Sequence, residues 1–302
     1  MRPVDRLAAR LADEYSADTD IRPGDTMETM YAAQSLSTEA PYGLEGVWGK
    51  LRGAETNIQR LRQGVEAYLG MPPYRLHRVD EDGWERVTAR MTFPPPLAIG
   101  VTFGDVLHCL DSALDHTAWA FARTVADPPH KRTEWPSFGS AEYFNERRKD
   151  ALRDIPPEIL AVMADVQGNS DHDIGSDIGR QIALMRSLSN MDKHQVIPVV
   201  SFFVGPQAVA FHDSAAPVEW LTDGDRLTGY RIRRDVADVL RVQEMWHATV
   251  TIERDDLPWR SGLEAIARHF YDETASVIAA LKPHWPLLRA LPEDASSWWR
   301  GG

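Results

Sequence analysis

Cysteine is almost absent from this chain. Cys109 stands alone in 302 residues, so no intramolecular disulfide can form, which suits a reducing compartment and a cytoplasmic protein. No apolar run approaches the ~20 residues needed to span a bilayer, so no membrane partner is expected. The first residues, MRPVDRLAARLADEY, lack an uninterrupted apolar core, which argues against a secretory signal. Lysine is scarce too: arginine supplies all but five of the 33 basic side chains, a bias that fits a GC-rich bacterial genome. Net positive charge is also missing. At a formal charge of −12, the bulk surface repels phosphate backbones, so bulk DNA binding is not expected. The basic clusters Arg147–Arg148–Lys149 and Arg231–Arg233–Arg234 read as solvated surface.

Several motifs are missing. GLEGVWG lacks the strand-turn-helix setting of a phosphate loop. There is no Gly-x-Ser-x-Gly, which removes the usual support for a serine nucleophile. The Asp/His-rich NSDHDIGSD has Gly175 but no EF-hand spacing and no terminal bidentate Glu; it reads as the lead-in to a helix. No cofactor is called for.

What is present is organised. Residues 1–42 read as a polar, turn-rich leader that is flexible or wraps the surface. Residues 43–290 read as one helix-rich domain and 291–302 as a C-terminal tail. Val47, Leu51, Ile58, Leu61, Val65 and Leu69 recur at helical spacing before a Gly-Pro-Pro stop. YRLHRVDEDGWERVTARM alternates around a turn signal and predicts a hairpin. A second long helix follows PPPL, and a third runs over about 174–193. VIPVVSFFV and QAVAFH predict a second hairpin, RLTGYRIRR and MWHATVTIER two more strands, and a closing helix stops at Pro283. Helices and antiparallel strands are segregated, so the class is α+β: about four long helices with a small antiparallel sheet.

The stretch LDSALDHTAWA, residues 110–120, carries the chemistry. On a helical wheel Phe103, Val106, Leu107, Leu110, Leu114, Thr117, Ala118, Phe121 and Val125 form one side. His108, Asp111, Ser112, Asp115 and Trp119 fall opposite, with His116 beside them. A Trp on a polar stripe implies that part of the stripe is covered, by another element or by a second subunit. A covered Asp115–His116 pair needs hydrogen-bond partners. The third helix offers them. Ile174, Ile178, Ile182, Met185 and Leu188 make its apolar face, and Asp192 continues that face in SNMDKHQ. A carboxylate there is expensive unless paired, and His116, Arg186, Lys193 and His194 are candidates by type. The other reading ends the helix by Asn190 and lets Asp192 cap the turn.

The segments PPLAIGVTFGDVLHCLDSALDHTAWAF and MRSLSNMDKHQVI resemble an uncharacterised bacterial protein family with an LRSALDH-like helix and an NxDKHR-like helix end. The likeness covers roughly residues 44–285. More distantly, the first motif resembles that of HEPN domains, helical bundles that are often dimeric and often metal-independent ribonucleases. The resemblance implies a homodimer and an RNA-linked or defence-linked role. His116 would serve as acid-base group, assisted by Asp115, with an arginine steadying phosphate charge. The arginine position of the motif is Asp111 here, so Arg123 or Arg186 would have to substitute. Cys109 stands where the family has Asn.

Two other readings follow from the residues. In one, Asp115, His116, Asp192 and His194, with Asn190 and Trp119 nearby, form a polar network in a non-catalytic module that binds or assembles with a protein or RNA partner. In the other, His108, Asp111 and Asp115 at i, i+3, i+7 hold a metal.

Overall fold

The computed structural model describes residues 43–71, 74–136, 141–166, 175–193, 199–204, 209–210, 218–223, 226–233, 243–244, 247–252 and 262–290. His194 and Ile174, both singled out in the sequence, lie outside them. The helices are α1 (Glu45–Leu69), α2 (Leu97–Ala122), α3 (Ala141–Arg148), α4 (Pro157–Val166), α5 (Gly175–Asp192) and α6 (Leu263–Ala280), followed by a 3-10 helix (Lys282–Ala290). The strands are β1 (Tyr74–Glu81), β2 (Trp84–Met91), β3 (Val199–Val204), β4 (Val209–Ala210), β5 (Val218–Asp223), β6 (Arg226–Arg233), β7 (Gln243–Glu244) and β8 (His247–Ile252). The protein is thus helix-rich α+β. Four helices have 18 residues or more; two short α-helices and the 3-10 helix raise the described total to seven.

The range read as one domain contains two compact units. One holds the described parts of Leu61–Gly100 and Pro198–Leu263; the other holds those of Pro23–Arg60, Val101–Ile197 and Glu264–Gly302.

The first unit is built on a four-stranded antiparallel sheet of order β1-β2-β6-β5. The predicted β1–β2 hairpin forms in full register, from Tyr74 opposite Met91 to Glu81 opposite Trp84. Its two-residue turn is Asp82–Gly83, with φ of 50° and 81°, the left-handed geometry that matches the twist of paired strands. Gly229 lets β6 approach β2: a Cβ there would run into the Val87 carbonyl oxygen. The predicted second hairpin is corrected. β3 pairs with β8, and β4 pairs with β7, so neither strand closes locally. β5, which hydropathy alternation did not single out, pairs with β6 instead.

The second unit is helical. On α2 the expected stripe of Phe103, Val106, Leu107, Leu110, Leu114, Thr117, Ala118 and Phe121 is buried. Val125 departs from it, 59% exposed, because α2 has ended at Ala122 and the Thr124 hydroxyl donates to the Phe121 carbonyl. By length and composition α2 passes for a membrane span, but over half of that window is buried within the protein, as in a core helix. On α1, Val47, Leu51 and Ile58 are buried as expected. Farther along α1, in the strand-bearing unit, Leu61 is buried, but Val65 and Leu69 are only half-buried. Tyr68 takes the core position there and donates its hydroxyl to the Phe93 carbonyl at 3.0 Å.

Candidate functional site

Asp111 and Asp115 lie one turn apart on α2, so both carboxylates project from one face. Arg186 and Ser189 lie three apart on α5, and Lys193 follows just past its end, on the same side. The two faces meet. Arg186 Nε approaches Asp111 Oδ1 at 2.5 Å, an ion pair whose angle is too poor for a hydrogen bond. Its Nη2 donates to Asp115 Oδ1 at 2.6 Å. Its Nη1 donates to the main-chain carbonyl of Trp135. The Trp135 amide in turn donates to Asp115 Oδ1 at 2.9 Å. Ser189 Oγ donates to Asp111 Oδ2 at 3.3 Å, and Lys193 Nζ lies 3.5 Å from the same oxygen.

The wheel put Asp111 on the polar side of α2, but it is only 5% exposed. Arg186 is 9% exposed. A guanidinium suits this job because its planar fork can face several acceptors at once. Burial works against its charge, but Asp115, Asp111 and Glu134 outweigh burial and raise its pKa. Asp115 behaves differently. Burial pushes its carboxyl up to about 6, with Asp111 and Glu134 adding to the rise; Arg186 and the Trp135 amide pull it down. Its side chain is 36% exposed, so solvent screens part of this.

Asp115 therefore favours folding while protonated. That contribution is whole below its ordinary value of 3.8 and is lost as pH rises through about 6. In a carbon-detected NMR titration Asp115 is expected to titrate near pH 6, and Asp111→Asn should move its midpoint down. A midpoint near the usual carboxylate value in the parent protein would refute this.

His116 is not in this cluster. It lies against α1, where a Cβ on Gly46 would come within 2.7 Å of His116 Nδ1. Its imidazole is half-buried, and burial, then Lys50, lowers its pKa, so it is neutral near pH 7. Gly46→Ala is expected to lower stability by roughly 1–3 kcal/mol, as overpacking does. His116→Ala should remove most of that penalty in the double variant. Purely additive effects in urea melts would show that the two do not touch.

The remaining candidates separate. His108 is exposed while Asp111 is buried in an ion pair, so the His108–Asp111–Asp115 stripe does not converge on one point. Among the described residues no group of three or more His, Cys, Asp or Glu could hold a metal. Asp192 is the last residue of α5, so the helix runs past Asn190. Its carboxylate lies against Gly104 of α2, where any Cβ would collide with it. Asn190 is exposed and accepts from Lys193 Nζ at 3.0 Å. Trp119 is 37% exposed, and Arg123 is paired with Asp127 one turn on. Among the described residues that the sequence singled out, Asp111, Asp115, Arg186 and Lys193 come together, with Asn190 bonded to Lys193.

Sequence reasoning missed Trp135 and Ser189. It also missed a second ionic cluster, in which Arg268 of α6 donates to both carboxylate oxygens of Glu55 on α1, at 2.5 and 2.9 Å. The Arg268 hydrogen bond holds Glu55 below the usual carboxylate range despite burial. Beside it, burial pushes Tyr271 up to about 12 and Asp272 up to about 6. Nothing in the sequence links Glu55 to a residue 213 positions away.

Compared with protein-family models, with curated proteins and with solved structures, the chain finds no match.

Proposed function

We propose that this protein is a non-catalytic binding or assembly module whose helical unit is locked by an arginine clamp. One observation carries the reading: the Arg186 guanidinium is engaged by Asp111, Asp115 and the Trp135 carbonyl together. An arginine so occupied has no face left to steady phosphate charge, and it is flanked by two carboxylates that repel phosphate. His116 sits on a different contact, against Gly46. Of the network read from the sequence, Asp115 joins Asp111, Arg186 and Trp135, while His116 lies against Gly46 and Asp192 against Gly104, and His194 is outside the described residues. The HEPN-like reading is left with the sequence likeness and His116.

The test is cleavage of labelled mixed-sequence RNA by the purified chain, with and without EDTA, beside His116→Ala. The expected result is no cleavage above background by either protein. Cleavage that survives EDTA and disappears in His116→Ala would replace this proposal with the HEPN-like one. Cleavage abolished by EDTA would replace it with a metal-dependent activity.

A further inference from the structure

Among the described residues the four-stranded sheet ends in two edge strands, β1 and β5. An edge offers a row of main-chain donors and acceptors to any strand that can pair with it, and proteins usually close such rows with bulges or charge. β5 has both devices. Its register shifts between Leu221 and Thr222, and its charged residues, Glu219 and Asp223, are both acidic. β1 has no such bulge. It runs eight residues, YRLHRVDE, without proline and without a break in register. Glu81 and Trp84 flank the two-residue turn and so form a hydrogen-bonded pair, and such pairs alternate along the strands. The odd-numbered residues of β1 therefore aim their amides and carbonyls at β2, while Leu76, Arg78 and Asp80 aim theirs at the outer edge. Among the described residues no strand lies on that side.

The charges of β1 are ordered. Arg75, His77 and Arg78 come first, then Val79, then Asp80 and Glu81; Val79 is half-buried and the five others are exposed. Charge of one sign on an edge keeps a second copy away. A basic half followed by an acidic half matches an antiparallel second copy instead. Centred on Val79, such a pairing sets Val79 opposite Val79, Arg78 opposite Asp80 and His77 opposite Glu81, with each charged match made twice by symmetry. A two-fold axis keeps paired residues on one face, so the next allowed registers centre on Arg78 or on Asp80. Those set Arg78 opposite Arg78, or Asp80 opposite Asp80, and directly opposed like charges destabilise a strand pair. The Val79 register also makes Arg78 and Asp80, whose main-chain groups face outward, the hydrogen-bonding pairs.

We infer that β1 pairs antiparallel with β1 of a second copy, centred on Val79, to make one continuous sheet across a dimer. The in-chain ion pairs stay in place. Arg78 Nη1 donates to Glu85 at 2.6 Å, and Arg86 lies 3.7 Å from Glu81. The Arg78 side chain is 50% exposed, and its fork of donors can face Asp80 of the second copy while it holds Glu85. The paired stretch, residues 77–81, is short, so the dimer depends on concentration and is not obligate. This pairing does not rest on the Arg186 clamp: RNA cleavage would overturn the reading of the clamp and leave the pairing standing.

The experiment is sedimentation velocity on the full chain from about 1 to about 500 µM, in about 150 mM salt, which screens the overall charge of −12 beyond about 8 Å. The expected result is a monomer that becomes a dimer as concentration rises. Arg78→Glu alone and Asp80→Arg alone should each weaken self-association at least about tenfold, because each sets like charges against one another at both matches. Mixing the two variants in equal amounts should restore the dimer, because the substituted position of each then faces opposite charge. Val79→Lys, which sets like charge against like at the centre and leaves both in-chain ion pairs alone, should give the same loss if Arg78→Glu folds poorly. In the parent protein the amides of Arg78 and Asp80 should exchange more slowly as concentration rises, and that of Val79 should not change. A monomer at every concentration, single variants that dimerise like the parent, or single variants that stay monomeric when mixed would overturn the inference. So would a dimer in which the Arg78 and Asp80 amides exchange as they do in the monomer.

Discussion

Arg186→Ala is expected to lower the stability of the fold by about 3–5 kcal/mol. The loss is not that of one good ion pair. Removing the guanidinium takes the nearest cation from buried Asp111 and leaves it the Ser189 hydroxyl and the half-exposed Lys193 ammonium at 3.5 Å. An uncompensated buried carboxylate is what makes a broken pair so damaging, whereas replacing all members together is often close to neutral. The decisive comparison is therefore Arg186→Met alone against Arg186→Met/Asp111→Asn/Asp115→Asn. The triple variant should be more stable than the single one by more than about 1 kcal/mol in urea melts. If the added substitutions only destabilise further, the two aspartates are not Arg186's partners and the clamp is wrong.

Trp135→Ala is expected to cost about 3–5 kcal/mol. The side chain is 0% exposed and is among the largest fully buried groups of the protein. Its backbone is also held at both ends, the amide by Asp115 and the carbonyl by Arg186. Its indole Nε1 is buried without a hydrogen-bond partner among the described residues. Trp135→Phe removes that unsatisfied donor and keeps an aromatic ring, so it should cost much less than alanine. Combined with Arg186→Met, Trp135→Ala should be less than additive, because both loosen the same junction. Equal losses for the phenylalanine and alanine variants would show that the indole nitrogen, not the ring's bulk, matters here.

The site was half legible in the sequence. The i, i+4 spacing of Asp111 and Asp115 put both on one face of a helix, but Arg186 was a candidate by type for Asp192, not for these two. The wheel still misplaced Asp111. A helical wheel assigns burial from residue polarity, and a charged residue goes inside only when another element brings the opposite charge. That partner lies 71 positions from Asp115, on a helix whose own pattern gives no sign of it. Trp135 was illegible for a different reason. It belongs to a segment with no periodicity, and its contribution is made through main-chain groups that every residue has.

By itself, the sequence determined the local elements. The long helices follow from apolar spacing, and the β1–β2 hairpin from alternation around Asp82–Gly83. These are set by interactions a few residues apart, which neighbouring side chains and turn chemistry decide. Only the tertiary structure decided that β3 pairs with β8 and that Arg186 closes on Asp111 and Asp115. Each joins segments far apart in the chain. Many partners satisfy such a pairing locally, and the choice among them is made when the whole chain buries its apolar surface at once.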